Sequence, residues 1–140
     1  MPDQPPVPED QIKKIVKQVL SEEQGSSTPP DPEQEKMTQC IIDCTNAHNL
    51  AMQTMAYCIS KGGPLAKKTL YNGIEDCAEM CDAASKFLLR GSESKSDILK
   101  LCQKVCEKCT EACAKFPDDK QLKTCGEFAT KAGASCKEVG

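Results

Sequence analysis

The sequence predicts an all-α protein, an antiparallel four-helix bundle over residues 32–140 preceded by a short amphipathic helix and linker within residues 1–31. Three observations carry that prediction. The stretch Cys102–Cys113 reads C-Q-K-V-C-E-K-C-T-E-A-C. Its thiols fall at i, i+4, i+7 and i+11, which at ~100° per residue stay within about 60° of one another on a helix. The same frame recurs on three other segments, as Cys40/Cys44/Ala47/Ala51, Cys77/Cys81/Ala84/Leu88 and Cys125/Ala129/Ala132/Cys136. Short connections at Gly62-Gly63, Gly91–Ser94 and Phe116-Pro117-Asp118 separate the four segments, and short connections make neighbouring helices antiparallel.

Taken in order, Met1–Pro8 is Pro-rich and acidic and reads as extended or disordered chain. From Glu9 to Gln24 the apolar residues Ile12, Ile15, Val16, Val19 and Leu20 recur at helix spacing, with acids first and Lys13, Lys14 and Lys17 following. Gly25–Asp31 is a linker, and Asp31-Pro32 offers an N-cap followed by proline at the first helical position. The first bundle helix is predicted from Pro32 to Lys61, with Met37, Cys40, Cys44, Ala47, Ala51, Met55 and Cys58 inward and His48 at the edge of that stripe. The second runs from Pro64 to Arg90 on Leu70, Ile74, Cys77, Cys81, Ala84 and Leu88. The third opens on a capping box of Ser94 with Asp97 and carries Ile98 before its four cysteines. The fourth opens on Asp118 with Gln121 at N3 and runs to Glu138. At ~1.5 Å rise per residue, Cys40 and Cys44 are expected level with Cys77 and Cys81, with Cys102 and Cys106, and near Cys109 and Cys125. Cys58 and Cys113 then lie toward one end and Cys136 toward the other.

Composition narrows the function. The net charge of −3 gives no clustered basic face for nucleic acid. No apolar run approaches the ~18 residues of a membrane span. Met1–Asp10 and the Lys-studded helix after it leave no room for a signal-peptide core. The chain therefore reads as cytoplasmic, although a protein whose export signal had been removed would read the same. The 11 cysteines are an odd number in helical rather than loop-rich sequence, which speaks against a disulfide scaffold. Side chains at i and i+4 point in parallel directions that suit an S–S bond poorly. Twin C-x9-C hairpins are absent too, since Cys102/Cys113 and Cys125/Cys136 are C-x10-C. Metal-binding thiols remain.

Cys and Ala are small, so a seam built from them is under-filled unless something occupies it. Thiolates select Cu(I), Zn(II) or iron–sulfur clusters. Zinc sites are usually announced by C-x2-C pairs on loops, and here Cys106/Cys109 has that spacing in mid-helix. The ferredoxin run of cysteines is missing. C-x3-C is abundant instead, at Cys40/Cys44, Cys77/Cys81, Cys102/Cys106 and Cys109/Cys113. Two metal–sulfur bonds near ~2.3 Å span ~4.6 Å, and Cβ atoms at i and i+4 lie ~5–6 Å apart, so a near-linear S–Cu–S unit fits across one helical turn. That favours several Cu(I) ions per chain. A zinc- or iron–sulfur-loaded redox or regulatory protein is the alternative. The candidate ligands are Cys40, Cys44, Cys58, Cys77, Cys81, Cys102, Cys106, Cys109, Cys113, Cys125 and Cys136. His48 reads as a packed or surface side chain or as a ligand, and Met37 and Met55 as gap-fillers or as thioethers at the point of copper uptake. No Ser/His/Asp set is visible, and a catalytic Cys/His pair would leave ten thiols unexplained, so the sequence does not read as an enzyme.

From Met37 onward the chain resembles the Cys-rich four-helix-bundle copper storage proteins of bacteria, most closely in C-E-K-C-T-E-A-C-A-K-F-P and in C-G-E at Cys125–Glu127. Where that family continues C-G-E-x-C-x-x-C-x-x-x-C, this chain has Ala129 and Ala132. The resemblance implies a bundle lined with thiolates that holds many Cu(I) ions. It also implies an N-terminal helix plugging or flanking one bundle end, and a homo-oligomer such as a tetramer.

Overall fold

The computed structural model describes the backbone of residues 8–24 and 31–140 and the side chains of 8–18 and 31–140. The extended N-terminal stretch, the linker and the side chains of Val19 and Leu20 lie outside those residues. Five helices follow in order: α1 (Glu9–Gln24), α2 (Pro32–Lys61), α3 (Lys68–Leu89), α4 (Lys95–Ala114) and α5 (Lys120–Val139). A 3₁₀ turn, Gly63–Ala66, stands between α2 and α3.

The helix ends follow local chemistry, with three departures from expectation. Asp31 caps α2, its Oδ1 accepting from Gln34 N at 2.8 Å with Pro32 behind it. The helix stops at Gly62, whose φ of +68° is the left-handed region that glycine enters without penalty. The second bundle helix starts at Lys68 rather than Pro64, because Gly62 and Gly63 both take positive φ and Lys67 is extended, so the corner is turned by 3₁₀ bonds. α3 closes on a Schellman arrangement, with Ser92 N bonded to Phe87 O and Gly91 N to Leu88 O. Ser94 makes no side-chain cap, since its backbone (φ −87°, ψ 5°) is not extended enough to turn Oγ toward the third helical N–H. At α5 the cap is Asp119, one residue later than expected, accepting from Leu122 N at 3.1 Å. The other Asp119 oxygen accepts from Tyr57 Oη at 2.7 Å, which ties the start of α5 to α2 and explains why Asp119 and not Asp118 takes the role.

The helices α2, α3, α4 and α5 pack as a closed ring, each on its chain neighbours and α5 back on α2. All sixteen positions of the repeated frame point inward: the cysteines, Ala47, Ala51, Ala84, Leu88, Ala129 and Ala132 are all buried. Other expected core residues differ. Leu99 is buried and Ile98 only partly so, because the stripe of α4 drifts by one position before Cys102. Met37 and Met55 are only partly buried, at the margins of the core. α2 is buried on its back as well, at Thr38 and Ile42, since α1 packs across it through Ile12 and Val16. Ile15 is 54% exposed, which leaves α1 with a narrower apolar face than its sequence suggested. Burying Ile12 and Val16 is worth ~3–6 kcal/mol as an upper figure.

α5 lies close against α4 because it offers no side chain at two points of contact. A Cβ on Gly126 would sit 3.3 Å from Cys113 Cβ, and one on Gly133 would sit 3.3 Å from Cys106 Cβ. Glycine costs these helical positions ~1 kcal/mol in propensity and brings the two Cys-bearing helices together.

Candidate metal centre

The repeated frame delivers its thiols to the bundle axis in groups of three. The sets are Cys40/Cys44/Cys136, Cys44/Cys81/Cys102, Cys77/Cys81/Cys106 and Cys109/Cys113/Cys125, with the sulfurs of each set within 4.8 Å of one another. Every member is buried. Within single helical turns the Sγ–Sγ separations are 4.0 Å for Cys40–Cys44, 4.0 Å for Cys77–Cys81 and 3.9 Å for Cys102–Cys106. Between helices Cys136 lies 3.7 Å from both Cys40 and Cys44, and Cys81 lies 3.9 Å from Cys102 and 3.7 Å from Cys106.

These separations settle the geometry on offer. With ~2.3 Å bonds, a linear unit needs sulfurs ~4.6 Å apart and a trigonal one ~4.0 Å. A third thiol from a neighbouring helix stands beside each i, i+4 pair, so a trigonal arrangement is on offer beside the linear clip. A closed zinc site takes four ligands, and each set here supplies three. Cys44 and Cys81 each belong to two sets, and Cys77 also reaches the Cys109 thiol. The sulfurs thus run as one chain along the axis, from Cys136 and Cys40 at one end to Cys125 at the other.

The electrostatics follow from this crowding. Hydrogen bonding first with Cys136 and then with Cys44 pulls the Cys40 thiol down to about 5. Cys106, first among its neighbours, pulls Cys102 down to about 6. Cys109 and then Cys113 pull Cys125 down to about 4. Their partners move the other way. Cys44 is pushed up by Cys102 and Cys136, Cys81 by Cys102 and Cys106, and Cys109 by Cys113 and Cys125. Cys113 is drawn down by Cys109 but pushed up on balance by Cys125 and by burial. Three sets thus each contain one thiol that its neighbours lower and at least one that they raise. A soft monovalent cation bound in such a set neutralises the thiolate that holds it, which lowers the cost of charge in the dry core.

Cys58 and His48 fall outside these sets. Cys58 is buried toward the Cys125 end, pushed up to about 11 by burial and by the charges of Cys125 and Asp119. His48 turns to the α2–α3 seam, where its Nδ1 lies 2.7 Å from the Ala78 carbonyl and donates to it. Met37 and Met55 are partly buried and pack against the core. The expected heights need one correction. Cys40 and Cys44 meet Cys136, while Cys109 and Cys125 sit with Cys113 toward the Cys58 end. α5 descends as α2 rises, so its first cysteine meets the top of α2 and its last the bottom. Sequence reasoning missed the polar residues around the thiols. Buried Thr54 accepts from Gln121 Nε2 at 3.0 Å and helps hold Cys125 low. Buried Asp43 lies one residue from Cys44, and an acid in an otherwise inward helical run was the available signal.

No described helix is long and apolar enough to cross a membrane. Among solved structures, the fold is similar to that of the copper storage protein Ccsp from Streptomyces lividans, loaded with 10 copper equivalents. That likeness has a TM-score of 0.74 and 22% identity, covering 89% of this chain and 96% of that one. It is also similar to a protein from Nitrosospira multiformis, with a TM-score of 0.70, 20% identity, and 75% and 94% of the two chains covered. No curated protein matches the sequence significantly. The model of the copper storage protein family matches residues 33–140, the whole Cys-lined bundle from the first turn of α2 onward, and the chain belongs to that family.

Proposed function

We propose that this chain stores Cu(I), holding several ions on the thiolates of its bundle core. One observation carries the reading: every cysteine except Cys58 belongs to a buried three-sulfur set, and three of the four sets share members. A single catalytic or regulatory metal would need one such set. Shared thiols instead let metal ions bridge, which suits a cargo that is accumulated and returned. Family membership supports the same reading, as does the copper-loaded state of the Streptomyces lividans protein. Storage and buffering is the role this reading assigns, in line with the family whose model matches the bundle. As further parts of this proposal, the protein acts in the cytoplasm and assembles as a homo-oligomer such as a tetramer, which light scattering on the purified chain tests. Anaerobic titration of the reduced protein against a Cu(I) chelator tests the storage reading itself. Tight binding beyond four equivalents is expected. Saturation at one equivalent with Zn(II) preferred would refute it.

A further inference from the structure

We propose that Asp43 is a positioning residue that holds Cys136 in the set with Cys40 and Cys44, an inference that rests on reading this set as a copper site. Cys136 lies in the last turn of α5, where carbonyls lack helical partners and helices fray. Its sulfur nevertheless sits 3.7 Å from both α2 thiols. The neighbouring residues account for this. Ser135, one residue before Cys136, donates from Oγ to Asp43 Oδ2, and Asp43 is one residue before Cys44. Lys131, one turn back on α5, places Nζ 3.6 Å from Asp43 Oδ1. On α2 itself, Gln39 Nε2 donates to Asp43 Oδ1 at 3.0 Å. The same Gln39 nitrogen reaches Glu9 Oε1 of α1 at 3.3 Å, so the docking of α1 bears on this carboxylate as well.

The carboxylate is an expensive choice for packing alone. The Asp43 side chain is 2% exposed, and a buried charge costs stability unless donors surround it. An apolar side chain of similar volume would fill the seam between α2 and α5. What an apolar residue would not supply is register. Hydrogen bonds to a charged acceptor are directional and stronger than neutral ones. Here they join the residues immediately beside Cys44 and Cys136. Without them the set falls back to the pair Cys40/Cys44.

Alkylation of the reduced, metal-free full chain with iodoacetamide, read peptide by peptide, tests the assignment. Asp43→Leu keeps the branched side-chain shape, at a larger volume, and removes the acceptor, Ser135→Ala removes one donor, and Asp43→Asn keeps an acceptor for Ser135. In Asp43→Leu and Ser135→Ala, Cys136 is expected to label about tenfold faster or more, while Cys109, Cys113 and Cys125 at the far end keep their parental rates. Asp43→Asn is expected to restore most of the protection. An unchanged Cys136 rate, or equal acceleration of all the thiols, overturns the proposal. If Asp43→Leu loses its helical circular dichroism, Ser135→Ala decides alone. Copper titration of the parent separates the two readings. A parent that takes up no copper refutes storage, while the labelling pattern still judges the clamp.

Discussion

Filling the gaps in the cysteine frame tests whether all four helices face one metal-lined core. Ala129 and Ala132 are 1% and 0% exposed, and they lie ~10.5 Å and ~6 Å along α5 from Cys136. Across from them α2 presents Ala47 and Ala51, also buried. The middle of the bundle is therefore lined with alanine on the α2/α5 side and with Cys77, Cys81, Cys102, Cys106 and Cys109 on the other. The double substitution Ala129→Cys/Ala132→Cys adds one heavy atom at each position and rebuilds on α5 the ladder of α4. Since thiolates are the soft ligands that select Cu(I), the two new thiols should raise the Cu(I) capacity above that of the parent. The packing cost should fall at the low end of the ~1–3 kcal/mol seen for core overpacking, lowering the metal-free melting temperature by about 4 °C per kcal/mol. Anaerobic chelator titration with mass spectrometry measures the capacity, and alkylation of the loaded protein reports which thiols are covered. Thr130→Cys is the control, since Thr130 is exposed and bonded to Thr110 on the rim of the α4–α5 seam. Equal capacity in the double variant and the parent would refute the shared core, as would equal protection of a thiol at position 130.

Other expectations follow from the same geometry. Copper loading should raise the melting temperature, since a site at a thousand times its Kd adds ~4 kcal/mol; an unchanged midpoint would place the metal outside the core. The metal-free protein should be most stable near pH 8–9. Cys40, Cys102 and Cys125 have lowered values, so their stabilisation is complete above the ordinary thiol value of ~8.5 and is lost as the pH falls through about 5, 6 and 4 respectively. Cys44, Cys58, Cys81, Cys109 and Cys113 have raised values, so theirs is complete below ~8.5 and is lost as the pH climbs past it. Thermal melts under reducing conditions check both limbs. Cys58→Ala should leave copper capacity near parental, because Cys58 belongs to none of the sets, whereas Cys81→Ala should remove at least one ion, because Cys81 serves two. Gly133→Val should cost ~1–3 kcal/mol in chemical denaturation, since its side chain must push α5 off Cys106.

Much of this molecule is written in its spacing. The 0-4-7-11 frame puts sulfur or alanine on one face of each helix because a helix repeats every 3.6 residues, and every frame position is indeed buried. Asp31-Pro32 and Gly62 bound α2 for reasons local to those residues, so its limits were legible too. Caps that depend on a neighbour were not: Asp119 displaced Asp118 because Tyr57, distant in sequence, bonds to it. Nor could spacing say which thiols would meet. The pairing of Cys136 with Cys40 and Cys44, and of Cys125 with Cys109 and Cys113, depends on how antiparallel helices slide past one another. The close approach of α5 to α4 over Gly126 and Gly133 and the clamp at Asp43 set that slide in part. Spacing along one helix determines direction, and it says nothing of the third sulfur. That atom comes from another helix, and only packing between helices brings it to 3.7–3.9 Å from the thiols of the pair.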